Sequence, residues 1–361
     1  MPSSGARVRI ILAVAALVAL VLAYRAWWRS GDDALVVYCA HDAEFADALF
    51  AEFRKRTGIA VAVRYDSEAT KSLGLVERLI QEGEQPRCDV FWNNEQLGTA
   101  DLDARGLLAA YRGPGWQRMP AGAKQADGHW TGFAARMRVM IINTARMPAT
   151  REAVRARLAG DLARVAIAKP LFGTTLTHYS TAWALLGGER VQAWHRACRA
   201  RGIREVDGNG MVRELVAGGA CDLGFTDTDD YFAAVDQGRP VAMLPARIAD
   251  LAAAPADGAA AAPERADPDA TILIPNTVAI LRGAAHREAA ERLVDFLLSA
   301  DGELMLARSG SRQIPLGAVE DAALPSEVRE LRAQAGQAAA PSGLAAARSA
   351  CLAWLKAEYA P

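Results

Sequence analysis

The run Asp227-Thr228-Asp229-Asp230-Tyr231-Phe232 sets three carboxylates within four positions and follows them with two aromatic rings. Carboxylates this close repel one another and raise each other's pKa unless a cation or neighbouring donors compensate. Three chemistries fit: a metal centre, an acid–base cluster, or a helix start, where orphan N–H groups and the helix dipole favour carboxylates. A calcium loop does not fit. The central glycine is missing, and the twelfth position from Asp227 is Gly238 where a glutamate is needed.

Catalysis finds no further support. The chain has no GxSxG, HExxH or dinucleotide fingerprint, and its five histidines are scattered. The triplet Gly173-Thr174-Thr175 is too short for a phosphate loop and no Walker lysine accompanies it. Cys39, Cys88, Cys198, Cys221 and Cys351 form no CxxC pair, which argues against a zinc knuckle or a redox dithiol. In an oxidising compartment one or two disulfides are allowed, with at least one thiol left over. The chain is read as a non-enzyme.

The elements that must position these residues alternate. "ALVVYCA", 34–40, reads as a buried strand, and behind it Phe45, Leu49 and Phe53 share one helical face between a cap at Asp42 and a stop at Gly58. A strand over 59–66, a helix from 68 and a strand over 88–93 complete a parallel α/β unit. The β-rich stretch 129–144 and the run 266–281 are the two candidate crossings into and out of a second α/β region. There "STAWALLGGERVQAWHRACRARG", 180–202, reads as helix, and 211–227 runs from helix into strand. Residues 254–269, rich in Ala, Pro, Asp and Gly, read as an exposed loop. Trp354 and Leu355 in the alanine-rich tail are expected to pack back onto the body. At 361 residues and 52% hydrophobic content, two domains are expected. Acids and bases nearly cancel, 42 against 41, which excludes the strong basic balance of an obligate nucleic-acid binder.

The first thirty residues differ from the rest. Arg7 and Arg9 precede "IILAVAALVALVLAY", 10–24, and "RAWWRS" follows. With Trp27 and Trp28 at the interface, residues 8–28 approach the ~20 residues needed to span a bilayer. The expectation is an uncleaved anchor in the lipid bilayer, the alternative a cleaved secretory signal. Either exports residues 30–361.

Longer stretches carry a resemblance. "VVYCAHDAEFADALFAEFRKRTGIAVAVRYD", "CDVFWNNEQLGTADLDARGLLAAY", "GHWTGFAARMRVMIINT", "GNGMVRELVAGGACDLGFTDTDDYFAAVDQG", "ILIPNTVAIL" and "SGSRQIPLG" resemble, in order, successive segments of ferric-iron-type periplasmic solute-binding proteins of ABC importers. The likeness runs from residue 34 to about 320. It implies a two-lobed α/β fold of the class II periplasmic-binding-protein type, with residues 1–30 as anchor or signal. Lobe one would comprise 34–134 and 275–361, and lobe two 135–274. It also implies His41, Glu95 and Tyr231 as metal ligands, and Thr174, Thr175 and Asn209 as contacts to an accompanying oxyanion. Phe232 departs from the pattern: it stands where a second tyrosine should be and has no oxygen to offer. Asp227 or Asp229 would then have to supply the missing ligand. No resident cofactor is implied, since ferric iron would be cargo. The departure keeps a non-metal solute open as cargo: an oxyanion, a phosphonate, a small organic acid or a less polar ligand. A membrane-tethered sensory or scaffold role is a third reading. The expected partners are the solute and an inner-membrane permease, with no nucleic acid, in a periplasmic monomer.

Overall fold

The computed structural model describes residues 34–66, 73–248, 250, 269–336 and 344–360. The expected anchor or signal, 1–30, and residues 254–268 of the expected loop lie outside the described residues. Among the described residues no helix is long and apolar enough to cross a membrane.

Strands β1 (Leu35–Cys39), β2 (Val61–Tyr65) and β3 (Val90–Asn93) alternate with helices α1 (Ala43–Thr57) and α2 (Leu73–Glu82), and β1 pairs parallel with both of its neighbours. Helix α1 buries Phe45, Leu49 and Phe53 and ends at Gly58, whose φ of 72° suits a residue without Cβ. Asp42 holds the N-cap position of α1, but its side chain makes no cap hydrogen bond. Helix α3 (Leu97–Ala104), strand β4 (Leu108–Ala109) and helix α4 (Pro114–Arg118) lead into β5 (Thr131–Asn143).

All thirteen residues of β5 are buried, and they make the first crossing. The following region holds α5 (Arg151–Ala159), β6 (Val165–Ala168), α6 (Gly173–Leu186), α7 (Gly188–Ala200), β7 (Arg204–Val206), α8 (Asn209–Ala217), β8 (Leu223–Asp227), α9 (Thr228–Asp236) and β9 (Val241–Pro245). Strand β10 (Leu273–Leu281) returns, and α10 (Arg287–Leu297), α11 (Ala300–Arg308), α12 (Ser326–Ala335) and α13 (Leu344–Glu358) finish the chain.

The strand order is β2-β1-β3-β10-β5-β8-β6-β7, with β4 on β10 and β9 on β5. Residues 131–137 of β5 pair antiparallel with β10, whereas residues 138–142 pair with β8. One strand therefore belongs to both lobes. It bends where Ala134 takes a φ of 38° and the register shifts between Pro275 and Asn276. Leu35, Phe50, Trp92, Val278 and Leu297 share one core; Ile142, Val165, Leu176, Trp194 and Phe225 share another.

Two expectations change here. The helix read over 180–202 begins earlier, at Gly173, and breaks at Gly187, whose φ of 88° leaves the helical region. The second change concerns α13, placed with 275–361 in lobe one by sequence. Its Cys351 and Leu355 lie in the same core as Leu176 and Trp194, while its Arg348 stands 3.5 Å from Asp101 of α3. Trp354 meets Trp183 at 5.7 Å between centroids, so the tail does fold back. The five cysteines are buried and unbridged.

Candidate functional site

A cleft of about 620 Å3 lies where the two regions face each other. Asp42, Phe45 and Asn94 line one wall, Thr174, Thr175, Asn209, Asp227 and Asp229 line the other, and Arg136 of β5 reaches it from the crossing. Strand ends and helix starts meet here, the usual location of ligands in open α/β sheets.

Helices α6 and α8 both begin at the cleft. Their N-cap residues, Phe172 and Gly208, give no side-chain cap hydrogen bond. First-turn N–H groups without a cap, at the positive end of a helix dipole, attract an anion.

Asp227 answers the question its sequence raised. It holds the N-cap position of α9, yet its carboxylate makes no cap hydrogen bond. Instead it accepts from the Thr174 hydroxyl at 2.5 Å, from Asn209 Nδ2 at 2.8 Å and from Arg138 Nη1 at 2.8 Å. Thr175 donates to Asn209 Oδ1 at 3.3 Å. Arg138 is fully buried, and its Nε donates to His178 Nδ1 at 3.4 Å. Burial and the Arg138 charge together push His178 well below the usual histidine range, so its ring is neutral and accepts. The network ties β5, α6, α8 and β8 together at the cleft floor.

The other two aspartates lie in the first turn of α9. Asp229 Oδ2 stands 3.7 Å from Arg136 Nη1. Asp230 accepts from the Thr226 hydroxyl at 2.6 Å and stands 3.9 Å from Arg213 Nη1. Burial, and next the Asp229 charge, push Asp230 up to about 8. Ligand oxygens of the three aspartates lie within 4.8 Å of one another.

His41, Glu95 and Tyr231 are absent from the cleft lining. His41 is buried between Trp92 and Phe45, with ring centroids 5.3 and 5.9 Å away, and its Nε2 lies 3.0 Å from Gln313 Nε2. Glu95 works as a helix cap: its carboxylate accepts from Leu97 N at 2.5 Å and Gly98 N at 2.7 Å. A Cβ at residue 98 would sit 2.7 Å from Glu95 Oε1, which explains the glycine. Thr177 donates to the same carboxylate at 3.2 Å, joining α6 to the start of α3. The Tyr231 ring packs on Phe232 at 5.1 Å, and its hydroxyl is raised chiefly by burial. Phe232 packs with Met137, Ile314 and Leu331, and the Arg312 guanidinium stands 4.8 Å above its ring.

Thr174, Thr175, Asn209, Asp227 and Asp229, all candidates from sequence, meet at one cleft, and Arg136 and Arg138, which were not candidates, meet them there. The signal was present in "FAARMRVMII": two arginines inside a strand otherwise apolar enough to be wholly buried. A buried cation needs a partner, which makes such an arginine a marker of a polar site.

Residues 35–312 match the family model described as bacterial extracellular solute-binding protein. The Fe(3+)-binding periplasmic protein of Serratia marcescens is 26% identical over 210 residues, which are 57% of this chain. The match spans 60% of that relative's length. Among solved structures, iron-bound HitA from Pseudomonas aeruginosa superposes with a TM-score of 0.72 at 18% identity, covering 91% of this chain and 99% of that one. The periplasmic binding protein AfuA from Actinobacillus pleuropneumoniae, with fructose-6-phosphate bound, gives 0.64 at 17%, covering 90% and 98%. These likenesses support the mixed α/β, two-lobed periplasmic-binding fold. With two α/β regions sharing a crossing strand, a polar cleft between them and a family match over most of its length, the chain belongs to the bacterial extracellular solute-binding proteins.

Proposed function

We propose that the protein is the extracytoplasmic binding component of an ABC importer and that its cargo is a small anion-bearing solute. The observation that carries this reading is the pair of uncapped helix starts, α6 and α8, opening onto one cleft beside the Arg136 guanidinium. The solute's anionic group sits on the first-turn N–H groups, and residues of the opposite wall close over it. Residues 34–134 with β10 to α12 form one lobe, and 135–245 with α13 the other. An inner-membrane permease receives the cargo, and the binding protein acts as a monomer. Residues 8–28 tether it to the bilayer; the apolar run between Arg9 and Trp27 supports that reading.

A second reading, ferric iron held with an oxyanion, is favoured by the oxygen-rich cluster of Asp227, Asp229 and Asp230 and by the likeness to the Serratia protein. His41, Glu95 and Tyr231 would join it only through a rearrangement that frees them from their present neighbours.

Calorimetric titration of the detergent-solubilised chain separates the readings, using inorganic phosphate, carbonate, small organic phosphates and carboxylates, and ferric iron with and without phosphate. Saturable binding of an anion without iron supports the first reading. Saturable iron uptake with a tyrosinate-to-iron absorption band that Tyr231→Phe removes supports the second and rejects the first. For the tether, recovery of a shorter soluble form on membrane fractionation would refute an uncleaved anchor.

A further inference from the structure

We infer that the solute is a zwitterion: a small organic molecule with a phosphate, phosphonate or carboxylate at one end and a protonated amine at the other. The inference rests on the anion seat proposed above and concerns what the remainder of the same cleft requires.

Arg136 supplies one half of the requirement. Its side chain is 3% exposed and lines the cleft. One terminal nitrogen donates to the Asn94 carbonyl and the other stands 3.7 Å from Asp229. The third nitrogen, Nε, is buried and has no hydrogen-bond partner among the described residues. A buried guanidinium donor left unsatisfied is unfavourable, and an anionic acceptor entering the cleft satisfies it. The two uncapped helix starts reinforce that demand.

The second half is charge. Seven carboxyl groups and two guanidiniums line the cleft among the described residues; with Asp227 paired to Arg138 and Asp230 keeping its proton, five charged carboxylates still outnumber them. Asp229 approaches from one wall, Asp42 and Glu44 from the other. A simple anion on the helix starts would be repelled by this surplus, and a bare cation would leave Arg136 Nε and the helix starts without an acceptor. A molecule carrying both charges a few bonds apart meets both demands: its anion faces Arg136 and the helix starts, and its ammonium faces Asp229. A cleft of about 620 Å3 suits a small organic molecule of this kind.

The full-length chain in detergent, dialysed free of bound solute, is titrated calorimetrically with matched pairs: phosphoethanolamine against ethyl phosphate, and β-alanine against propionate. The expected result is that in at least one pair the amine-bearing member binds about tenfold tighter or more. Asp229→Asn, checked for an unchanged circular dichroism spectrum, brings that pair within about twofold. If the variant does not fold, the wild-type comparison alone decides. Equal or tighter binding of the amine-free members overturns the zwitterion and leaves the anion seat standing. So does tighter binding of fructose 6-phosphate than of phosphoethanolamine, which would assign the aspartates to hydroxyl groups. No binding by any phosphate or carboxylate probe overturns both.

Discussion

Arg138 of β5 and Asp227 of β8 meet at 2.8 Å with side chains 0% and 3% exposed. The pair sits under the cleft and holds Thr174 and Asn209 through the same carboxylate. Removing one partner leaves the other charged and buried. Asp227→Ala is expected to lower unfolding stability by about 3–5 kcal/mol, read from urea denaturation. A double change, Arg138→Met with Asp227→Leu, should recover much of that loss. If the single change is harmless, the pair is not holding the cleft floor.

Glu95 gives a different prediction, because its carboxylate caps α3. Glu95→Ala should cost about 1–2 kcal/mol, as other lost caps do, and leave the cleft lining in place. A thermal melt reads the first effect and a solute titration the second. Loss of cargo binding without loss of stability would return Glu95 to the ligand set.

Asp230 makes stability depend on pH. Its folded value of about 8 lies above the unfolded value for an aspartate. Between roughly pH 4 and 8 the folded chain therefore holds a proton that the unfolded chain has released. The stability linked to this group is complete below about pH 4 and lost as pH rises through 8. With the side chain 14% exposed, the loss between pH 5 and 8 is expected to be on the order of 2 kcal/mol larger in wild type than in Asp230→Asn. Denaturation curves at both pH values measure it, and parallel curves for the two proteins would refute it.

Arg312 holds Asp236 with two nitrogens, at 2.8 and 2.7 Å, and covers Phe232. It does so from a left-handed backbone, φ 44°. Arg312→Gly relieves the backbone and loses the ring contact and both ion pairs, with Asp236 and with Glu327 at 3.0 Å. The net loss is expected to be about 1 kcal/mol, and Arg312→Ala, which keeps the backbone strain, should lose more. Urea denaturation of the two variants gives the order, and the reverse order would show that backbone conformation contributes nothing here.

The thiols offer a simple check on the cores. All five are buried, and burial pushes Cys198 up to about 11 and Cys351 up to about 12. Ellman's reagent should find no rapidly reacting thiol in the native protein and five after denaturation. A fast-reacting native thiol would place one of these residues nearer the surface.

The sequence by itself determined the α/β alternation, because buried strands and one-sided helices write their periods into the order of apolar residues. Val37, Phe50 and Trp92 are core residues for that reason. It also brought forward Thr174, Asn209, Asp227 and Asp229, which the fold assembles at one cleft. Only the tertiary structure decided what those polar groups do. From sequence Asp227 was open to metal, acid–base or helix-start roles; in the fold it binds side chains 53, 18 and 89 residues away. Glu95, a ligand by resemblance, accepts the first N–H groups of α3 in the fold. Local periodicity records which face of an element is buried. A carboxylate's partner is set by which distant donors the packed chain brings within three ångströms, and no local pattern encodes that. The same holds for α13: its sequence marks a helix, and only packing shows Cys351 and Leu355 meeting the core that holds Leu176.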